Sequence, residues 1–177
     1  MPDKRESFRK KLRKPRYSML GKGVGNFYIL CLSQKQVRLF YCAAETVMEM
    51  RLDTKIPPSL KVYNRFTEEI TELVRVEGKV RVAEYLEEVA DGIDRMFQGH
   101  HEPLILAAVE YEAAMFRHQC NYRYIPQSIL PGNPDRLSPR DLHSRALEIA
   151  KKVARIRHQG KEIDTDQTSK QGSLQYC

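Results

Sequence analysis

Phe27-Tyr28-Ile29-Leu30-Cys31-Leu32-Ser33-Gln34-Lys35-Gln36-Val37-Arg38-Leu39-Phe40-Tyr41-Cys42 is the stretch on which the reading of the fold turns. Its first six residues are apolar without alternation, the pattern of a strand buried on both faces. Ser33–Gln36 is short and polar and reads as a hairpin connection. Val37–Cys42 then begins in alternation and returns as a second strand. Working outward, Thr46–Leu52 sets Val47, Glu49 and Arg51 against Met48, Met50 and Leu52. That period of two marks a third strand with one wet face. The three strands read as an antiparallel meander, closed by Pro57-Pro58, since consecutive prolines exclude helix and central strand alike.

Downstream the period changes. Residues 59–78 carry no clear signal, and a short helix near Thr67–Arg75 is the expectation there. From about Lys79 to Phe97, Val82, Leu86, Val89, Ile93 and Met96 recur at spacings of four and three, one buried helical stripe; Gly99 suits its stop. Pro103 opens a second fully buried strand, Leu104–Val109, followed by a helix over Tyr111–His118. Asn121–Ile125 is assigned the fifth strand. Pro131-Gly132-Asn133-Pro134-Asp135 is a loop rich in turn residues. Ser138-Pro139-Arg140-Asp141 starts a helix: serine caps, proline suits the first turn, and the carboxylate complements the orphan N–H groups. Leu142, Ala146, Ile149, Val153 and Ile156 give that helix its stripe, to about His158. The order β-β-β-α-β-α-β-α predicts an α/β domain with a mixed five-stranded sheet of ribonuclease-H-like order, its helix-linked strands crossing right-handedly.

The charge is informative by position. Lys4, Arg5, Arg9, Lys10, Lys11, Arg13, Lys14, Arg16 and Lys22 stand against Asp3 and Glu6 in residues 1–22, which accounts for the whole net charge of +7. Residues 23–177 balance, with 21 basic and 21 acidic groups. The expected organisation is a basic arm (1–22) that does not order alone, one α/β domain (23–158) and a polar tail (159–177). Such an arm commonly engages phosphate backbones. Gly21, Gly23 and Gly25 share a spacing with phosphate loops, but they precede a strand instead of following one, so they read as a linker. The longest apolar runs, such as Phe27–Leu32 and Leu104–Val109, are six residues each. A membrane-spanning helix needs roughly 20 and a secretory signal about 7–15. No membrane partner and a cytoplasmic location are therefore expected.

A two-metal nuclease needs carboxylates clustered at strand ends. Phe27–Leu32 has none, and Glu110, Glu84 and Glu88 do not make a cluster. Of five histidines, only the adjacent His100 and His101, beside Glu102, suggest a metal, and no third ligand stands at helical spacing. No nucleophile triad or Walker-type loop is found. Cys31, Cys42, Cys120 and Cys177 form no Cys-x-x-Cys pair, so neither zinc nor a disulfide framework is expected. Tyr122, Arg123 and Tyr124 have the composition of a base-stacking platform, and a strand half-buried in the sheet accounts for them more simply. No catalytic residue, metal or cofactor is assigned.

Three blocks carry a resemblance: Phe27–Phe40, Glu102–Val109, and Gly132-Asn133-Pro134-Asp135-Arg136-Leu137-Ser138 with Asp141-Leu142-His143. In order and spacing they resemble the middle domain of the bacterial branch of the archaeo-eukaryotic release factor family, relatives of the peptide-chain release factors and Pelota, over about Phe27–Val153. The resemblance implies a ribonuclease-H-like sheet and a connection to translation. Family members carry a domain before and another after this one; here a basic arm stands in the first place and a short polar stretch in the last. Peptidyl-tRNA-hydrolysing members of the wider family use a Gly-Gly-Gln loop, and none occurs in this sequence. The long Gly/His-rich stretch of the bacterial relatives corresponds to Ile56–Gly78, with one glycine.

The leading expectation is a non-catalytic ribosome- or RNA-associated module related to release and rescue factors. Two alternatives stand beside it. One is a hydrolase of peptidyl-tRNA or a similar ester, with its site near Ile56–Gly78 or His100-His101. The other is a protein-interaction remnant of a longer release-factor-like protein, prone to self-association or to pairing with a protein partner.

Overall fold

The computed structural model describes residues 24–68 and 78–170. The basic arm therefore lies outside the described residues, as does most of the Thr67–Arg75 segment. The elements are β1 (Phe27–Leu32), β2 (Val37–Cys42), β3 (Val47–Met50), α1 (Leu60–Glu68), α2 (Gly78–Met96), β4 (Leu104–Ala108), α3 (Glu110–Gln119), β5 (Leu130–Pro131), a 3-10 turn (Pro134–Arg136) and α4 (Pro139–Lys170). The five strands form one open mixed sheet in the order β3-β2-β1-β4-β5. β2 runs antiparallel to both neighbours, pairing Phe27 with Cys42 and Leu39 with Met50. β4 is parallel to β1, with Tyr28 opposite Leu104, and β5 is parallel to β4, with Ala107 opposite Leu130.

The apolar run of β1 is explained by its place. Every β1 side chain is at most 1 % exposed, because the strand sits mid-sheet between two cores. Tyr28, Leu30 and Leu32 face one core with Leu39, Tyr41, Leu104 and Leu106; Val82, Tyr85, Leu86, Val89 and Ile93 of α2 and Phe116 of α3 cover it. Phe27, Ile29 and Cys31 face the other core, with Phe40, Ile105 and Ala107, covered by Leu142, Ala146, Ile149 and Ala150 of α4. Burying a side chain of this size is worth about 1.5–3 kcal/mol, so the alternation along β1 stabilises both layers at once.

Several expected elements are displaced. The fifth strand is Leu130–Pro131, not Asn121–Ile125. Pro126 follows that segment and has no N–H to continue a ladder. Tyr124 still accepts one bond, from Leu104 N–H at 2.9 Å, but the sheet is extended by residues 130–131 instead. A helix begins directly after the proline pair, at Leu60, in a stretch that carries no clear sequence signal, and Ser59 caps it by accepting Val62 N–H at 3.2 Å. α4 runs past His158 to Lys170. Its expected stripe fails at the far end, where Ile156 is 68 % exposed, while Ala150 takes a buried position. Its start is as read: Ser138 Oγ accepts Asp141 N–H at 3.2 Å and donates to Asp141 Oδ2 at 2.6 Å, which holds that carboxyl below its ordinary range.

Candidate functional site

Open α/β sheets place ligands beyond the carboxyl ends of their parallel strands. Here β1, β4 and β5 end, respectively, in the Ser33–Gln36 turn, the Val109–Glu110 entry to α3 and the Gly132–Asp135 loop. Two of the blocks singled out in the sequence meet at this pole. Ser33 Oγ lies 2.9 and 3.0 Å from the two carboxylate oxygens of Asp135, and Gln36 Nε2 donates to Asp135 Oδ1 at 3.1 Å. A hydroxyl has one proton. The carbonyl of Gln36 lies farther away, at 3.2 Å, so the charged acceptor takes that proton. The oxygen of Ser33 in turn accepts the N–H groups of Lys35 and Gln36 at 3.2 and 3.1 Å, which shapes the turn.

The loop is built to reach that turn. Gly132 has φ 103, a conformation that side chains with a Cβ rarely adopt, and its N–H is tied to Ala108 O at 3.2 Å. Asn133 Oδ1 caps the 3-10 turn by accepting Asp135 N–H at 2.9 Å. Pro134 is buried, and its carbonyl accepts Arg38 Nη2 at 3.0 Å. Gly132, Asn133, Pro134 and Asp135 thus form a latch on the β1–β2 hairpin.

Two further polar groups complete the pole. Glu112, in the first turn of α3, is buried and accepts Gln34 Nε2 at 3.2 Å. Burial pushes its carboxyl above the ordinary range; the Gln34 bond opposes this and the Asp135 charge adds to it. Tyr85 donates its hydroxyl to Ser33 O at 3.1 Å, and burial raises its phenol strongly. Each acid here is engaged by side-chain donors, so the arrangement fixes loop geometry.

On the outer side of the hairpin lies an open groove of about 460 Å³, lined by Gln34, Lys35, Leu60, Lys61, Asn64 and Arg65. Backbone bonds hold its two walls together: Leu60 N–H to Gln34 O at 3.0 Å and Val37 N–H to Pro58 O at 2.9 Å. Lys61 and Arg65 stand four apart on one helix face, where like charges oppose the helix by about 0.2–0.5 kcal/mol. Lys35 adds a third cation from the facing turn.

The other residues singled out in the sequence fall elsewhere. Lys4 to Lys22 lie outside the described residues. His100 and His101 precede β4, at the opposite end of the sheet. His100 Nδ1 is 3.4 Å from Glu102 Oε2, and its ring packs on Tyr28 and Phe97. His101 packs on Tyr124, which also carries the Arg157 guanidinium at 5.2 Å. Among the described residues no group of three His, Cys, Asp or Glu could hold a metal ion. Glu110 opens α3 and is exposed, while Glu84 and Glu88 lie on α2. Tyr122 and Tyr124 belong to a loop instead of a strand. The Tyr122 ring packs on Phe97 and its hydroxyl donates to Glu102 O at 2.6 Å. The Ser33–Asp135 pairing, the Gln34–Glu112 bond and the groove were not foreseen. For the first two, the trace in the sequence is the four polar side chains of the Ser33–Gln36 turn.

These features define a mixed α/β domain with latched loops at the carboxyl pole of its sheet. The model of bacterial archaeo-eukaryotic release factor family 3 matches residues 26–175, and the chain belongs to that translation-related family. The match begins just before β1 and extends beyond the Phe27–Val153 span of the resemblance. No curated protein matched the chain. Among the described residues no helix is long and apolar enough to cross a membrane.

Proposed function

We propose that this chain is a non-catalytic, ribosome- or RNA-associated module of the translation apparatus, working in the cytoplasm, with residues 23–158 as its folded unit and residues 1–22 as a basic arm. Family membership supplies the connection to translation. The single observation that carries the association is the charge distribution: the arm holds the whole net charge of +7 on an otherwise neutral chain. The sheet reads as ribonuclease-H-like, supported by the order β3-β2-β1-β4-β5 with β2 as the one reversed strand. A docking role is favoured over hydrolysis because Ser33, Asp135, Gln34 and Glu112 spend their hydrogen bonds on one another.

Co-sedimentation with bacterial ribosomes tests this, comparing the full chain with a chain starting at Gly23 at low and moderate salt. Both should sediment, with the shorter chain less sensitive to salt, because each lost phosphate contact lowers the salt slope. If neither sediments, the proposal fails.

A further inference from the structure

We infer that the groove between the β1–β2 turn and α1 is a binding site for the phosphate backbone of single-stranded RNA, an inference that rests on the RNA-associated reading and gives it a place on the folded domain. Three cations from two separate elements, Lys35, Lys61 and Arg65, converge on it, all exposed, and among the described residues no carboxylate lines it. Lys61 and Arg65 repel each other at helical spacing; an anion between them turns that repulsion into attraction. The walls are joined by backbone hydrogen bonds, so the cations are held on a prepared frame instead of on a loose loop.

The lining also selects the kind of anion. Among the described residues Leu60 is the one apolar residue lining it, beside the amides of Gln34 and Asn64. A protein interface would present an aromatic or aliphatic centre, and a membrane surface would need apolar anchors. Three cations beside two side-chain amides suit phosphates and sugars. A concave groove suits a flexible strand better than the convex wall of a duplex.

The test uses the full chain and a fluorescent single-stranded RNA of mixed sequence, with binding followed by anisotropy over a salt series. The variant Lys35→Gln/Lys61→Gln/Arg65→Gln is compared with Arg136→Gln/Arg140→Gln/Arg145→Gln, which removes equal charge from exposed positions around the start of α4. The groove variant should bind roughly tenfold or more weakly, with a log–log salt slope shallower by about 2, since each contact on a single strand contributes about 0.7. The second variant should change both much less. Equal losses in the two variants overturn the inference, because only overall charge would then matter. Polyglutamate competing as well as RNA at equal charge also overturns it, in favour of an acidic protein. Ribosome sedimentation separates the two levels. If the wild-type chain sediments and the groove variant matches it in both assays, the groove fails while the RNA-associated reading stands. If the wild-type chain neither sediments nor binds RNA, both fall.

Discussion

Ser33 and Asp135 lie 102 positions apart in sequence, yet the serine hydroxyl meets both carboxylate oxygens of the aspartate, at 2.9 and 3.0 Å. In the sheet, β4 separates β1 from β5, so this pair reaches past the end of β4 to join the first hairpin to the last loop. Gln36 donates to the same carboxylate and Asn133 holds the backbone beneath it. The latch therefore gives the carboxyl pole its shape, and with it the position of the Lys35 turn beside the groove.

Replacing Asp135 by alanine removes the acceptor of two side-chain donors at once. Ser33 is only 8 % exposed, and its hydroxyl cannot be fully hydrated in compensation. Losing a partner in this way costs about 1–3 kcal/mol. The Asp135→Ala variant should lower the urea midpoint accordingly, with Asp135→Asn between it and the wild type, because the amide oxygen still accepts one bond. An unchanged midpoint for the alanine variant would show that the latch contributes nothing to stability.

Gly92 sits in the middle of α2, where alanine is normally preferred by about 1 kcal/mol. Here a Cβ would meet Ile56 Cγ1 at 2.1 Å and Cδ1 at 2.8 Å, and Ile56 is itself buried. Gly92→Ala should therefore destabilise, by about 1–3 kcal/mol, as overpacking does. Ile56→Ala alone should cost about 2–5 kcal/mol. Combined, the two should cost less than their sum, because the Cβ of residue 56 lies 3.4 Å from the new methyl. Chemical denaturation of all four chains checks this, and strict additivity would remove the argument for contact.

Periodicity made the sheet core and the α2 stripe legible. Phe27–Leu32 and Leu104–Ala108 are unalternating apolar runs because they lie mid-sheet, and their shortness and flanking turn residues mark them as strands and not buried helix. β5 was missed because two residues carry no period at all. Tyr122 and Tyr124 drew attention as strand or stacking residues, when their rings fill the space around Phe97 and His101. The polar pole was half legible. Gly132–Asp135 was singled out as a loop, but its partner across 102 positions is set by sheet order, which one sequence does not reveal. The groove was hidden because Lys35 and Lys61 come from segments with no chemical signature of their own.

Glu112 gives the pole a pH dependence. Its carboxyl is raised by burial first, so the folded state holds its proton more tightly than the unfolded chain does. The sign follows: this group favours folding below the ordinary carboxylate range, about 4.3 for an unperturbed glutamate, and that contribution is lost as pH rises through the raised value. Glu112→Gln keeps an acceptor for Gln34 and removes the titration. The variant should gain stability relative to the wild type as pH rises from about 4 towards neutrality, read from urea midpoints across the series. Parallel curves would mean that Glu112 titrates alike in both states.

The cysteines test the packing of the sheet directly. Cys31 and Cys42 are fully buried on the α4 side, and burial pushes both thiols up to about 12. The Arg38 charge pulls Cys31 the other way but is outweighed, while the Cys31 charge raises Cys42 further. Cys120 is half-buried, also raised to about 12, and its Sγ lies 3.1 Å from Asp94 Oδ1. Only the thiolate reacts with an alkylating agent. At roughly pH 8, near the ordinary thiol range, native Cys31 and Cys42 should resist iodoacetamide, with Cys120 modified slowly; all three should react once urea unfolds the chain. Peptide mass spectrometry reads each site separately. Rapid native labelling of Cys31, the residue opposite Arg38 in the β1–β2 register, would mean that the hairpin opens from α4 far more readily than its packing implies.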